Sequence, residues 1–340
     1  MERILADFAN PNTLTRTEGI MLHILKIFQQ VIEDNDLCLT VSSKYDVLEV
    51  LIKVMNQFLR VTVHRDILLN LCGLILVILE SSSLSKTVIK LFQKRQAFFS
   101  FFAKVFNVYF EDRETIQRAM MILGKATNDG KVSNQIVYSA LCLHFMKSMD
   151  HYLKFQDIIF HGIIAFANLA EMSESSSDIS SSLSNRSSLE VYLKLSKHYR
   201  RDRNIVLQLW GGIWTFLKKE ETSTEFGKIH NACYELVDIL KFFEKDQVIS
   251  SKVCGVLWSL SNIRKNQDIL SEDPDFFKVL IKLLEKNRSD EILVNRICGT
   301  FSMFAKRNGY RDKLKLLDIE RKILACVECE WRRRLLQLLQ

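Results

Sequence analysis

The stretch Val253-Cys254-Gly255-Val256-Leu257-Trp258-Ser259-Leu260-Ser261-Asn262 returns 44 residues later as Ile297-Cys298-Gly299-Thr300-Phe301-Ser302-Met303-Phe304-Ala305. It also occurs 44 residues earlier, as Leu209-Trp210-Gly211-Gly212-Ile213-Trp214-Thr215-Phe216-Leu217. In each copy apolar residues recur at helical spacing around one small residue. Glycine costs a helix interior about 1 kcal/mol relative to alanine. Its return at a fixed phase therefore signals a repeated packing need, the close approach of a neighbouring backbone. A repeat array, in which each unit packs on its neighbours, follows from that periodicity.

Upstream copies extend the pattern. His161-Gly162-Ile163-Ile164-Ala165-Phe166-Ala167-Asn168-Leu169-Ala170 is one, and Gln117-Arg118-Ala119-Met120-Met121-Ile122-Leu123, with Ala119 in the glycine slot, is another. Leu71-Cys72-Gly73-Leu74-Ile75 precedes them. The interval from Gly162 to Gly211 is longer than its neighbours, and the excess coincides with a serine-rich segment, Ser173 to Ser184. Such a composition cannot build a core, so residues 173–188 are expected to form an inter-repeat loop. Ser175 with Asp178 three residues on has the pattern of an acidic-directed kinase site, against the alternative of a passive linker. Ser187-Ser188-Leu189-Glu190 has the form of a capping box for the next helix.

Between the glycine-marked helices lie shorter ones. After Asn262 comes the amphipathic piece Arg264 to Leu270, and Asp273-Pro274 then supplies an N-cap and a first-turn proline. Phe276 to Leu284 is apolar at helical spacing, Asn287 to Asp290 breaks it, and Ser289 is positioned to cap the next helix. The last unit offers Tyr310–Leu317, Ile319–Val327 and a helix from about Glu330. Two prolines and 11 glycines in 340 residues leave too few turn signals for a β-rich fold. The chain is therefore all-α.

The glycine-marked helix resembles the third helix of the armadillo repeat, small-Gly-x-Leu-x-Asn-Leu-Ala, best at Ala165-Phe166-Ala167-Asn168-Leu169-Ala170 and at Gly255 to Asn262. The resemblance covers the chain clearly from about residue 65. It implies a right-handed superhelical solenoid of about six to seven three-helix repeats over residues 65–340. Residues 1–64, opened by a capping box at Thr15-Arg16-Thr17-Glu18, would be an N-terminal helical cap or divergent repeat, and the whole one continuous solenoid domain.

Several chemistries are excluded by what the residues lack. Gly124-Lys125-Ala126-Thr127-Asn128-Asp129-Gly130-Lys131 imitates a phosphate loop, but its glycines are one residue too far apart and Val132 stands where Ser or Thr should hold magnesium. It reads as a helix end and a turn. Cys326-Val327-Glu328-Cys329 is a lone pair, whereas structural zinc takes four ligands and a redox CxxC accompanies a βαβ unit. The seven histidines form no HExxH. No catalytic residue, metal site or cofactor is expected, and the chain is read as a non-enzyme.

The net charge of +7 is spread without a dense tract, which argues against nucleic-acid binding. Eight cysteines, three of them directly before a glycine at Cys72, Cys254 and Cys298, suit small buried positions in a reducing, intracellular setting. A cytoplasmic protein is expected, compatible with nuclear or cytoskeletal association. The most apolar run, Ile67 to Leu79, is too short to span a bilayer. The aromatic segment 97–110 is expected to be a buried second helix, with an exposed partner patch as the alternative.

The armadillo resemblance also implies a groove, lined by third helices, that binds an extended peptide. Trp258 and Asn262 share a helix face, as in the tryptophan–asparagine ladder of importin-alpha. The pairing fails in neighbouring units, where Lys218 follows Trp214, Lys306 follows Ser302 and Ile164 precedes Asn168. Across repeats the same face carries Gln208, Lys252 and Arg296 before the glycine and Lys218, Asn262 and Lys306 after it. A row of donors and cations suits an acidic or phosphorylated partner segment, with Trp214 and Trp258 as anchors, or else it is a solvated face. The expected function is a protein–protein interaction scaffold or adaptor within a larger assembly, with no small-molecule substrate. The alternative is an importin-alpha-like transport adaptor or a chaperone cofactor.

Overall fold

Polar caps, apolar faces and scarce breakers produce a chain of helices, and in the computed structural model every regular element among the described residues is helical. The structure describes residues 65–80, 96–129 (side chains from 101), 141–172 and 183–340, with the single positions 23, 26 and 89. The N-terminal cap expected over 1–64 falls outside them apart from two isolated positions, as do Ser175 and the side chains of Phe98 and Phe99. The chain divides into two compact units, Met1–Met172 and Ser173–Gln340.

In the first unit, α1 (Arg65–Glu80), α3 (Arg113–Ala126) and α5 (Gln156–Met172) pack side by side in that order. Between them, α2 (Gln96–Val108) packs on α3, and α4 (Leu141–His151) packs on α2 and α5. Within the described part of the aromatic segment Phe101, Phe102, Val105 and Phe106 are buried, while Val108 is exposed. The helix α3 ends at Thr127, so the phosphate-loop imitation is a helix terminus followed by a turn through Asp129.

The second unit opens with the pair α6 (Arg186–His198) and α7 (Arg203–Leu217). Three triplets follow: α8 (Glu220–Gly227), α9 (Ala232–Phe242), α10 (Gln247–Ser261); α11 (Arg264–Glu272), α12 (Phe276–Lys286), α13 (Glu291–Ala305); and α14 (Asn308–Leu316), α15 (Ile319–Leu324), α16 (Glu330–Leu339). The third helices α7, α10, α13 and α16 pack each on the next. The second helices α6, α9, α12 and α15 form a parallel row behind them. Val253, Leu257, Ile297 and Phe301 fill the space between, fully buried.

Aspartates set where the third helices begin. Asp112, Asp202, Asp246 and Asp290 hold extended backbone at the N-cap of α3, α7, α10 and α13, and each side chain accepts first-turn N–H groups. This corrects three sequence expectations. Asp290, not Ser289, caps α13, because its carboxylate takes the Leu293 N–H at 3.0 Å. Asn185, not Ser187, caps α6, and Ser188 is the residue whose N–H it receives at 3.0 Å. Asp273 caps no helix; its carboxylate accepts the Asp275 N–H at 2.8 Å and closes a turn, so α12 starts two residues later than Pro274 suggests.

Burial raises the Asp246 carboxyl pKa, but Arg203 and the Ile249 and Val248 N–H groups outweigh it and hold the value below the ordinary carboxylate range. A depressed folded pKa gives stability that is present above the unfolded value, about 3.9, and lost as pH falls through the folded one. Asp246→Ala is therefore expected to lower stability by about 1 kcal/mol at neutral pH. The deficit should shrink in acid, and thermal melts of both proteins from about pH 7 to pH 2 check it. A constant deficit across that range would show that the carboxylate charge plays no part.

Candidate partner-binding surface

The glycine-marked positions of α7, α10 and α13 lie on one face with residues three and seven places away, because those spacings bring side chains into line. Gly255 and Gly299 are buried, and the reason is aromatic. A Cβ on Gly255 would stand 2.6 Å from Cε2 of Trp214, and one on Gly299 would stand 2.7 Å from Cε2 of Trp258. The indoles of α7 and α10 thus each lie against the glycine of the next third helix. Gly211 has no such neighbour; a Cβ there would meet only Lys252, at 3.9 Å.

Lying across Gly255, Trp214 reaches beyond α10. The guanidinium carbon of Arg296, on α13, is 4.3 Å from its ring centroid. The Lys252 ammonium is 5.7 Å away and that of Lys218, the C-cap of α7, is 5.3 Å away. Three residues singled out in the sequence for their charge therefore meet on one half-buried ring. Each such contact contributes about 0.5–2 kcal/mol. Arg296 also donates to Ser251 Oγ at 2.6 Å. Burial lowers its pKa below the usual arginine value, with Asp290 acting the other way at longer range. Neither Lys252 nor Arg296 forms an ion pair with any described residue.

The remaining sequence candidates stand apart from this cluster. Gln208 is exposed on α7. The Lys306 ammonium lies 3.3 Å from Met303 Sδ. Asn262 turns back on its own helix end, donating to the carbonyls of Trp258 at 3.2 Å and Ser259 at 3.3 Å. Asn168 in the first unit is similarly occupied, donating to Thr127 Oγ1 and Asn128 Oδ1.

Trp258 continues the row in a way the sequence did not announce. Its ring meets Trp331 of α16 edge-on, centroids 5.1 Å apart, and Arg334 stacks over Trp331 at 4.7 Å. Since α16 carries no glycine at the marker phase, self-alignment offered nothing to place Trp331.

The marker phase is not uniform along the chain, and in the first unit Gly73 is the ninth residue of α1. Gly211, Gly255 and Gly299 are each the ninth residue of their helix, whereas Ala119 and Gly162 are each the seventh. Gly162 accordingly faces Met149 of α4, whose Sδ a Cβ would meet at 2.7 Å. The close backbone approach expected of the marker glycines is instead found at Gly124, where a Cβ would lie 3.0 Å from the His161 carbonyl oxygen of α5.

No protein-family model matches the chain, and no curated protein matches it. Solved structures do. One, from work describing a conserved phosphorylation switch that controls the interaction between cadherin and beta-catenin, is similar over 97% of this chain and 69% of its own, with TM-score 0.68 and 13% identity. At that identity the likeness is one of fold. The chain has the armadillo-type helical repeat architecture. Among the described residues no helix is long and apolar enough to cross a membrane.

Proposed function

We propose that this armadillo-type chain is a non-catalytic protein–protein interaction scaffold, and that the third-helix face centred on Trp214 takes an acidic, extended segment of a partner protein. One observation supports this above the rest. Lys218, Lys252 and Arg296 converge on a single half-buried indole, and neither Lys252 nor Arg296 forms an ion pair with a carboxylate among the described residues. Like charges gathered this way repel one another, and an incoming anion relieves that repulsion. Trp214 and Trp258 would supply the anchoring area. Beta-catenin, whose structure is similar, interacts with cadherin, a protein partner for a protein of this fold. Gln208, Asn262 and Lys306 would contribute donors along the same face.

A fluorescently labelled, glutamate-rich peptide supplies the test. Charge reversal at Lys252 and Arg296 together is expected to weaken its binding, read by anisotropy, by roughly tenfold or more, since each charge–charge contact carries about 1 kcal/mol or more. Binding of the unaltered protein should fall with added salt. Unchanged affinity after the double reversal overturns the reading, and preferential binding of a lysine-rich peptide would favour the transport-adaptor alternative. Lys197→Glu, exposed on the second helix α6 and off the third-helix face, serves as the control for overall charge.

A further inference from the structure

Four of the buried cysteines are inert by position. Burial pushes the thiols of Cys72, Cys142, Cys233 and Cys254 up to about 12. At the last third helix the arrangement is different. The start of α16 and the segment leading into it are held against α13 and the turn before it by two hydrogen bonds, from the Val327 N–H to the Arg288 carbonyl at 2.8 Å and from the Trp331 N–H to Asn295 Oδ1 at 3.1 Å. These bonds flank Cys329 and press it against α13, one turn from Asn295, where Cys298 is fully buried. The Cys298 and Cys329 thiols act on each other, and Cys329 together with burial holds the Cys298 thiol well above the ordinary cysteine pKa.

Cys329 also occupies the N-cap of α16, the position that aspartate fills in α7, α10 and α13. The positive end of the helix favours a thiolate there. Facing Cys329 are Cys298 and Glu291 from α13, Arg332 from its own helix and Cys326 from the preceding turn. Contact with Cys298, opposed by burial and by Glu291 but aided by the Arg332 and Trp331 N–H groups, lowers its pKa to about 7. Cys326 is turned elsewhere, its sulfur 3.3 Å from the Lys322 carbonyl of α15. Among the described residues no group of three His, Cys, Asp or Glu side chains is placed to hold a metal ion, so a zinc site does not explain the cluster.

We infer that Cys329 is a peroxide-reactive site and that Cys298, not its CxxC neighbour Cys326, is its resolving partner. The Cys329 sulfur attacks one oxygen of hydrogen peroxide, the O–O bond breaks, and Cys329 sulfenic acid and water form. Cys298 sulfur then displaces hydroxide from the sulfenic sulfur, giving the Cys298–Cys329 disulfide and a second water. Two thiols are oxidised and one peroxide is reduced. The bond would staple α16 to α13 beside the Trp258–Trp331 contact.

Alkylation by iodoacetamide across about pH 5.5 to 9 on the full chain, followed by peptide mass spectrometry, reads the first step. Cys329 should be half-maximally reactive near pH 7 and react roughly tenfold or more faster than Cys233 at that pH. Treatment with hydrogen peroxide should then yield a Cys298–Cys329 linked peptide that dithiothreitol reverses. Cys298→Ser should leave a sulfenic acid on Cys329, trapped by dimedone, and Cys326→Ser should leave the linked peptide unchanged. A Cys326–Cys329 link, an absence of any link in the folded unaltered protein, or Cys329 alkylating no faster than Cys233 would each overturn the inference. Because the mapping is done on the unaltered chain, it stands even if Cys298→Ser fails to fold.

Discussion

Replacing Glu235 by alanine is expected to destabilise the unit spanning 173–340 by about 3 kcal/mol, near the lower end of the range for breaking a buried ion pair. Glu235 is 3% exposed on α9, a buried carboxylate in the row of second helices that shares Arg200 with the more exposed Asp238, 3.7 Å from the guanidinium. It accepts from Ser196 Oγ at 3.1 Å and pairs with Arg200, both supplied by the α6 side. Truncation leaves the arginine without its main partner, and Arg200 Nε is already buried without one. The Arg200 side chain is 35% exposed and can recover some hydration, which holds the cost to the lower end.

The pair itself need not be net stabilising, since both charges gave up water to form it. Glu235→Leu combined with Arg200→Met should therefore recover most of what Glu235→Ala loses. Urea denaturation of the three variants separates these terms. A Glu235→Ala midpoint equal to that of the unaltered protein would show that the contact carries no energy. A double variant as unstable as the single one would show that packing, not charge, is at stake.

The second large effect compares one substitution at two positions of the same phase. Gly211→Ala should stabilise by about 0.5–1 kcal/mol, because helix propensity improves and the new methyl meets only Lys252 at 3.9 Å. Gly255→Ala gains the same propensity but drives its methyl into the Trp214 indole, within 2.6 Å of Cε2. The ring must lift, giving up the apolar contact it makes with α10. A loss of about 1–2 kcal/mol is expected, hence a swing of about 2–3 kcal/mol between the two alanines. Lifting the ring also separates it from Arg296 and Lys252, so glutamate-peptide affinity should fall in Gly255→Ala and hold in Gly211→Ala. Equal melting temperatures for the two variants would contradict the packing described.

The repeat was legible in the sequence because a glycine inside a helix is costly enough to need a cause each time it returns. The nature of that cause was not. Sequence spacing suggested a neighbouring backbone, but in the second unit an indole fills the space, and the backbone contact belongs to Gly124. Nothing in a linear alignment tells which neighbour lies over a missing side chain. The caps were misplaced by one or two residues for a related reason. Ser289, Asp290, Ser187 and Asn185 can all accept a first-turn N–H, and only the entry path of the chain selects among them.

The charge row was legible in part. Lys218, Lys252 and Arg296 were chosen by register and do meet, because the residue between the helices is glycine and lets one ring serve all three. Gln208, Asn262 and Lys306 share that register but not the ring. Trp331 and Arg334 were hidden because α16 departs from the marked phase. Ser251 carried no signal at all, being one of many serines on a third helix.

Repeat arrays are commonly treated as strings of nearest-neighbour couplings, in which each unit melts or forms according to the one beside it. The contact between Trp214 and Arg296 skips α10 and joins α7 to α13; that between Trp258 and Trp331 skips α13 and joins α10 to α16. A second-neighbour coupling of this kind lengthens the cooperative unit. Fraying that begins at the C-terminal helix must release Trp258 before it can release α13. The proposed binding face and the order of unfolding then share the same two indoles.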